Sequence, residues 1–187
     1  MKLVLAATGA SGAIYTQRLL ERLDPREHEI HLVLSAYSRQ VAAEELPGKR
    51  LVIPEGVRVY DDRSMIVPFT SGSARFDAMV IAPCSMGTLA RIAHGTSESP
   101  LLRGADVFLK ERRTLVLVPR ETPWSLVHAR NVVAVMEAGA RVLPAIPSFY
   151  HRPETVADVV DTVIFRILDQ IGLPDPRAPR WQEKAEG

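Results

Sequence analysis

Small residues suited to phosphate binding follow two apolar runs of the sequence. Thr8–Ala13, with its two glycines, comes directly after Leu3–Ala7. Cys84–Thr88 comes directly after the apolar run 78–83. Small side chains let a backbone approach a ligand closely, and the first turn of a helix offers unpaired N–H groups at the positive end of its dipole. A phosphate is the usual ligand of such a turn, although the first turn alone is equally consistent with glycines that only pack a helix against a sheet.

The spacing of the glycines argues against a nicotinamide cofactor. Gly9 and Gly12 stand three residues apart, so the turn is not the G-x-G-x-x-G fingerprint of dinucleotide-binding proteins. The second strand of a nicotinamide enzyme usually ends in Asp or Glu for the ribose hydroxyls, whereas this chain has Ser35 there. Two small-residue turns at neighbouring strand ends therefore predict a nucleotide-like ligand with a phosphate, but not NAD.

Three polar side chains further along the chain are candidates for contacting an anion. Arg120 follows a predicted buried strand at its ligand-bearing end and is itself followed by Glu121, which favours a role in a site over a structural ion pair. Arg166 borders the apolar stripe of the last predicted helix, so it needs an anion, either a protein carboxylate or a ligand phosphate. Tyr150, in a loop bounded by prolines, is consistent with donating to an anion or with packing.

The cysteine and histidine pattern predicts no metal site. The single cysteine, Cys84, follows a strand-ending proline at a helix start, where a thiol pKa can fall, but a small residue admitted for packing is the favoured interpretation. The five histidines show no ligand spacing and no cysteine cluster accompanies them. A P-loop lysine and a G-x-S-x-G elbow are also missing from the sequence, which disfavours an NTPase and a serine hydrolase.

Composition limits the possible partners and the compartment. The 187 residues carry 23 basic and 22 acidic side chains, so a net charge of +1 gives no field that would recruit nucleic acid or a membrane. One cysteine fits a reducing compartment, and the first apolar run is too short for a signal peptide or a membrane span. We therefore expect a cytoplasmic protein.

These candidate residues must be positioned by strands that alternate with helices. Apolar runs predict buried strands over 3–7, 29–35, 78–83, 114–119 and 141–144, with further short strands allowed at 51–53 and 57–60. Alternation demands right-handed crossovers, which predicts an α/β fold with a three-layer, Rossmann-like (flavodoxin-like) parallel sheet and helices on both faces. We expect a single ligand-binding domain over 1–187, with 174–187 as an extended C-terminal tail. Ligands of such folds lie beyond the carboxyl ends of the strands.

Four segments together resemble one family over nearly the whole chain. They are TGASGAIY (8–15), MVIAPCSMGTLARIAHG (79–95), RGADVFLKERRTLVLVPRETP (103–123) and PSFYHRPETVADVVD (147–161), and Arg166 and PRW (179–181) extend the match. These segments are similar to those of the UbiX-type flavin prenyltransferases, formerly labelled aromatic acid decarboxylases. The run LKERR…LVLVPRETP is highly specific. Glu98–Pro100 and Trp124 depart from the family's usual residues.

The resemblance implies a fold, a reaction and an assembly. It implies a single Rossmann-like, flavin-binding domain that holds FMN and is assembled as a homododecamer built from trimers. The implied reaction joins the dimethylallyl group of dimethylallyl monophosphate to N5 and C6 of reduced FMN without a metal. The product, prenylated FMN, is the cofactor of UbiD-type decarboxylases, which would be the functional partner.

The resemblance also implies roles for particular residues. Residues matching those that hold FMN are Gly9, Ala10, Ser11, Ser35, Cys84, Ser85, Met86, Gly87, Thr88 and Arg103. Residues matching those that grip the dimethylallyl phosphate are Lys110, Arg120, Tyr150 and Arg166, while Ser71, Glu45 and Trp181 match positions near the prenyl pocket. Three cations and a phenol suit a phosphate leaving group. Glu121 matches the acid that moves protons, assisted by Ser11, with Lys110 as a further catalytic residue.

Two other functions compete with the prenyltransferase. An FMN-dependent decarboxylase of the cysteine-decarboxylating group shares the fold, but it typically needs a histidine and a PASANT-like stretch. This chain has APCSMGT at 82–88 and no histidine between Ser35 and His94. A non-catalytic flavin carrier would leave the cations Lys110, Arg120 and Arg166 without a purpose.

Overall fold

Six strands form one parallel sheet in the computed structural model, which describes residues 1–181. The strands are β1 (Lys2–Ala7), β2 (Glu29–Leu34), β3 (Arg58–Asp61), β4 (Ala78–Cys84), β5 (Thr114–Pro119) and β6 (Arg141–Val142). Their order across the sheet is β3-β2-β1-β4-β5-β6, and every neighbouring pair is parallel. The order reverses between β1 and β4, the switch point at which α/β folds bind ligands.

Helices cover both faces of the sheet, which confirms the predicted three-layer α/β fold. They are α1 (Ala13–Arg22), α2 (Ala36–Glu45), α3 (Met86–Ala93), α4 (Pro100–Lys110), α5 (Leu126–Glu137) and α6 (Val156–Gln170). Alternate residues of β1 face opposite layers, as strand geometry requires. Leu3 and Leu5 pack in the core shared with α1 and α6, whereas Val4 and Ala6 pack in the core shared with α3 and α4.

The structure differs from the sequence pattern at two places. The apolar run 51–53 forms no strand, and the residues flanking it lie in turns. Helix α5 begins after Ser125, because Ser125 Oγ accepts from the N–H of His128 while His128 Nδ1 accepts from the N–H of Ser125. This reciprocal cap uses a histidine where the usual sequence signature has Glu or Gln, so the sequence pattern does not indicate it.

The C-terminal segment after α6 packs back on the domain. Asp175 lies 3.6 Å from an Arg22 guanidinium nitrogen, and Ala178 is buried. The expected tail therefore contacts α1 and α6 as far as Trp181, and Gln182 to Gly187 lie outside the described residues. Within residues 1–181, no helix combines the length and the apolar character needed to cross a membrane.

Candidate active site

The first turn owes its glycines to local structure. Gly12 has φ of +119°, a conformation that strains any residue with a side chain. A Cβ added to Gly9 would lie 2.5 Å from Cβ of Tyr37, so Gly9 is required where the turn packs against α2. The packing alternative weighed for this turn is thus correct for both glycines, and evidence for a ligand must come from other groups.

A carboxylate of the protein occupies the start of α1. Glu45 Oε2 accepts hydrogen bonds from the N–H groups of Gly12 and Ala13, each at 2.8 Å. Burial alone would raise the pKa of Glu45, but hydrogen bonds from Ser11, Gly12 and Ala13 lower it below its usual value. The expectation that these helix-start donors await a phosphate is therefore wrong: Glu45 takes them within the chain.

Three other helix starts converge on one pocket at the carboxyl edge of the sheet. Ser35, Ser85 and Ser99 are the N-caps of α2, α3 and α4, and each hydroxyl oxygen accepts from a backbone N–H of its own helix. All three serines line a cavity of about 320 Å³, which we call the carboxyl-edge pocket. Gly9 and Thr88 also line it. Three positive helix ends at one pocket favour an anionic ligand, and at the start of α4 Asp62, which also lines the pocket, accepts from the N–H of Leu101 at 2.9 Å.

A buried threonine fixes the turns after β1 and β4 to each other. Thr8 Oγ1 donates to the carbonyl of Pro83 at 2.9 Å and accepts from the N–H of Ser85 at 2.7 Å. Cys84, between them, is fully buried, and burial raises the pKa of its thiol to about 12. The burial of Cys84 agrees with the interpretation that a small residue is admitted there for packing. The neighbouring Met86 is buried as well. Neither side chain lines the carboxyl-edge pocket.

Arg120, Glu121 and Ser11 lie beside this pocket. The N–H of Arg120 donates to the carbonyl of Cys84 at 3.3 Å, and its Nε donates to the carbonyl of Ser11 at 3.0 Å. Among the described residues, Glu121 makes no ion pair with Arg120; its Oε1 accepts from the N–H of Thr122 at 3.0 Å. Arg120 and Glu121 are therefore not the structural ion pair that the sequence allowed.

Arg103, Lys110 and Ser71 form a separate group, which we call the α4 cluster. Arg103 donates to the carbonyl of Thr70 at 3.3 Å, next to Ser71. Lys110 forms an ion pair with Glu111, and a Cβ added to Gly72 would lie 2.7 Å from its Nζ. Lys110 ends α4 just before β5, whereas Arg120 follows β5. Six strand residues separate the two ends, about 20 Å at ~3.3 Å per residue.

Tyr150, Arg166 and Trp181 meet in a second pocket, of about 360 Å³, which we call the C-terminal pocket. The Tyr150 hydroxyl donates to the carbonyl of Pro179 at 3.0 Å, and the Tyr150 and Trp181 rings meet edge to face with centroids 5.4 Å apart. Arg166 pairs with Asp169 at 2.9 Å, so it has a protein carboxylate, although it also faces the pocket. Among the residues described, His151 Nδ1 is buried there without a hydrogen-bond partner.

Several residues at these pockets were missed by sequence reasoning. Arg91 and the segment Asp61–Arg63 line the carboxyl-edge pocket, and Arg180 lines the C-terminal one. Tyr15 lies near Arg120, and burial raises its pKa while the Arg120 charge opposes that rise. A sequence signal exists at the start of α4, where Ser99 precedes a proline at a first helical position. Over residues 1–181, no group of His, Cys, Asp or Glu side chains has the arrangement needed to hold a metal ion.

Comparison with known proteins gives one consistent family. Residues 1–168 match the Flavoprotein family. The flavin prenyltransferase UbiX of Pseudomonas aeruginosa is 43% identical over 198 residues, covering 98% of this chain and 95% of that protein. Among solved structures, AnUbiX (PadA1) in complex with FMN and dimethylallyl pyrophosphate superposes with a TM-score of 0.90 at 38% identity, covering 98% of both chains.

A second similar solved structure is that of a dodecameric protein. The dodecameric FMN-dependent UbiX-like decarboxylase of Escherichia coli O157:H7 has a TM-score of 0.87 at 40% identity, covering 98% of this chain and all of that one. Matches of this identity and coverage extend over the carboxyl-edge pocket, the α4 cluster and the C-terminal pocket alike. The chain belongs to the flavoprotein family and, within it, to the UbiX-type flavin prenyltransferases.

Proposed function

We propose that this protein transfers the dimethylallyl group of dimethylallyl monophosphate to N5 and C6 of reduced FMN. The observation that carries the proposal is the convergence of three serine-capped helix starts on one pocket beside Arg120 and Glu121. A nucleotide phosphate is the ligand that such an arrangement suits best. The product, prenylated FMN, would be used by a UbiD-type decarboxylase, and the single cysteine supports action in the cytoplasm.

The lining of the carboxyl-edge pocket suits the phosphate and ribitol of FMN. Backbone groups at Gly9, Ser35 and Ser85, with the Thr88 hydroxyl, would hold the phosphate and ribitol. Its volume of about 320 Å³ is within the range of small-molecule sites. The remaining residues assigned to FMN by resemblance are Ala10, Ser11, Cys84, Met86, Gly87 and Arg103, of which the buried Cys84 and Met86 would contribute backbone only. Bound reduced FMN supplies the nucleophilic N5 and C6.

The donor phosphate would be gripped by cations from all three regions. Arg120 comes from the carboxyl edge, Arg166 with Tyr150 from the C-terminal pocket, and Lys110 from the α4 cluster. Positive charge and hydrogen-bond donors stabilise a departing phosphate. Glu121, half-buried and next to Arg120 in the chain, would hold and move a proton at its carboxylate, with Ser11, whose carbonyl accepts from Arg120, assisting. The orphaned His151 Nδ1 supports a polar ligand at the C-terminal pocket.

The distance between Lys110 and Arg120 supports an oligomeric site. About 20 Å within one chain is too far for one phosphate to touch both, so a neighbouring copy must supply Lys110. Lys110 lines a cavity with Glu137–Gly139 at the end of α5. The outer face of α5 exposes large apolar side chains, namely Leu126, Val127, Val133 and Met136. Such a patch suits a subunit contact, and the dodecameric relative from E. coli supports a homo-oligomer.

The test is a flavin mass measurement. The protein is incubated without oxygen with reduced FMN and either dimethylallyl monophosphate or dimethylallyl pyrophosphate, and the flavin is extracted and weighed. We expect a flavin heavier by one dimethylallyl unit with the monophosphate. An unchanged mass with both donors, under verified binding of FMN, would overturn the proposal. Product formed only with the pyrophosphate would correct the donor and keep the reaction.

One observation favours a second function, an FMN-dependent decarboxylase. The E. coli relative is described as a UbiX-like decarboxylase. The cysteine-decarboxylating group, however, typically uses a histidine that this chain lacks between Ser35 and His94. A parallel incubation with oxidised FMN and a peptide ending in cysteine distinguishes the two functions: release of carbon dioxide, with no prenylated flavin in the first assay, would favour the decarboxylase.

A further inference from the structure

Two arginines that line the C-terminal pocket share one carboxylate, that of Asp169. Arg180 forms a fork with Asp169, in which its NH1 donates to Oδ2 at 2.7 Å and its NH2 donates to Oδ1 at 2.8 Å. Arg166 NH1 donates to the same Oδ2 at 2.9 Å. Asp169 is largely buried, whereas Arg166 is largely exposed and both guanidiniums line the pocket. A two-bond fork fixes the plane of a guanidinium, which a single contact does not.

The fork between Arg180 and Asp169 also positions the C-terminal segment that carries Trp181. Arg180 stands between Pro179, whose carbonyl accepts from the Tyr150 hydroxyl at 3.0 Å, and Trp181, whose ring meets that of Tyr150 edge to face. Holding Arg180 therefore holds the aromatic wall of the pocket. The carboxylate of Asp169 thus links this wall to Arg166.

We propose that Asp169 is a positioning residue for the prenyl phosphate donor: it orients Arg166 and, through Arg180, sets Trp181 against Tyr150. This inference rests on the proposed function. Asp169 has been assigned no role by the resemblance, and it touches neither reacting group in the proposed chemistry. Its effect passes through the two arginines.

A purely structural role for Asp169 is less consistent with the contacts. The C-terminal segment has a second anchor, Asp175, which lies 3.6 Å from Arg22 of α1 and is held within the segment by a fork from Arg177 at 2.8 and 2.7 Å. Asp175 is buried, so this anchor ties the segment to α1 without any help from Asp169. The C-terminal segment is therefore held on the domain without the Asp169 fork. The fork instead sets the local geometry of the pocket.

The charge of Asp169 makes the proposal testable, because charge alone and orientation predict opposite changes in the affinity for the donor. Two guanidiniums and one carboxylate leave a net charge of +1 at the pocket. Replacing Asp169 by asparagine raises this charge to +2, which by Coulomb's law alone would tighten the binding of a phosphate. A positioning role predicts the opposite, because the fork on Arg180 is lost and Arg166 is no longer held. Weaker donor binding in Asp169→Asn thus separates orientation from charge.

The experiment uses the full chain with Trp124→Phe as background, so that Trp181 is the one remaining tryptophan. Into it are introduced Asp169→Asn, the conservative Asp169→Glu, and Asp24→Asn as a matched control. Asp24 also forks on an arginine, Arg26, but in an exposed turn at the opposite edge. Each protein is assayed for KM of dimethylallyl monophosphate, kcat, the dissociation constant of FMN, and quenching of Trp181 fluorescence by acrylamide with and without the donor.

We expect Asp169→Asn to raise the donor KM roughly tenfold and Asp169→Glu to restore part of it. FMN affinity should not change, and Trp181 should become more accessible to acrylamide without the protection that the donor gives the background protein. The control should match the background. An unchanged or lower donor KM in Asp169→Asn, or equal loss of FMN binding, would overturn the inference. If the wild-type chain makes no prenylated flavin, the proposed function fails instead; if only the Trp124→Phe background is inactive, the Asp169 variants are compared in the wild-type chain by KM, kcat and FMN affinity, because Trp124 Nε1 donates to the carbonyl of Glu121.

Discussion

The two pockets of this protein are built by different means. The carboxyl-edge pocket is built on strand ends and on the serine-capped starts of α2, α3 and α4, and Tyr37, Arg63 and Arg91 complete its lining. The C-terminal pocket is formed by long side chains from a loop, a helix and the C-terminal segment, which meet only in the folded chain. Backbone dipoles fixed by the fold suit the flavin phosphate, which stays in place during the transfer, whereas long arginine side chains suit the donor phosphate, which departs.

The largest expected effect comes from the acid at the carboxyl edge. We expect Glu121→Gln to lower kcat about a thousandfold, since general acid–base groups contribute that order, while FMN still binds to the intact pocket. Rates of prenylated FMN formation and FMN titrations measure the two quantities. Glu27→Gln, in the exposed turn before β2, is the control. Full activity of Glu121→Gln would remove Glu121 from the catalytic machinery.

Lys110 tests whether regions of different copies act together. We expect Lys110→Ala to lower kcat about a hundredfold, because one cation to the leaving phosphate is lost. Mixing Lys110→Ala with Glu121→Gln subunits, after dissociation and reassembly, should restore about a quarter of the wild-type rate, since a quarter of randomly assembled sites combine both intact residues. If mixing restores nothing while each variant still assembles, Lys110 and Glu121 must act from the same chain.

Unlike the carboxyl-edge pocket, the C-terminal pocket is supported by a buried ion-pair network. Asp161, on α6, is buried and accepts from Arg18 at 2.8 and 2.6 Å and from Arg22. Asp161→Asn removes the carboxylate that the two arginines share and leaves Arg18 with Glu21 and Arg22 with Asp175 at 3.6 Å, so we expect the free energy of unfolding to fall by about 3 kcal/mol. Urea denaturation measures it, with Asp24→Asn as an exposed control. A loss no larger than that of the control would mean that packing, not charge, holds α6 on α1.

The difference between the pockets also explains what the sequence could predict. Strand ends and helix starts are local features, so the sequence alone places Gly9, Ser35 and Ser85 at the correct edge of the sheet. Ser99 was missed because a loop brings α4 to that edge, and no local pattern reports this. The resemblance assigned Glu45 to the prenyl pocket. In the structure its carboxylate accepts from the N–H groups of Gly12 and Ala13, which lie 33 and 32 residues earlier in the sequence. Which groups are already satisfied within the chain is a tertiary property.

The separation of Lys110 from Arg120 is another feature that could not be predicted from the sequence. The two residues stand ten apart in the sequence, and the resemblance assigns both to one phosphate. The intervening strand runs the full height of the sheet, which places them at opposite edges. Their contact with a common ligand therefore depends on assembly, and a sequence read as one chain has no signal for it.

The smallest expected effect concerns Glu45 and is a matter of pH. Because the pKa of Glu45 is lower in the folded protein than its usual value of 4.5, its carboxylate stabilises the fold above pH 4.5, and this contribution is lost as the pH falls through the folded-state pKa. Glu45→Gln should lower the free energy of unfolding by about 1 kcal/mol at pH 7, as loss of a helix cap does, and less below pH 4. Urea denaturation at pH 7 and pH 3, with the adjacent exposed Glu44→Gln as control, measures the difference. A loss that is the same at both pH values would show that the Glu45 charge does not stabilise α1, and would return those helix-start donors to the candidates for a phosphate.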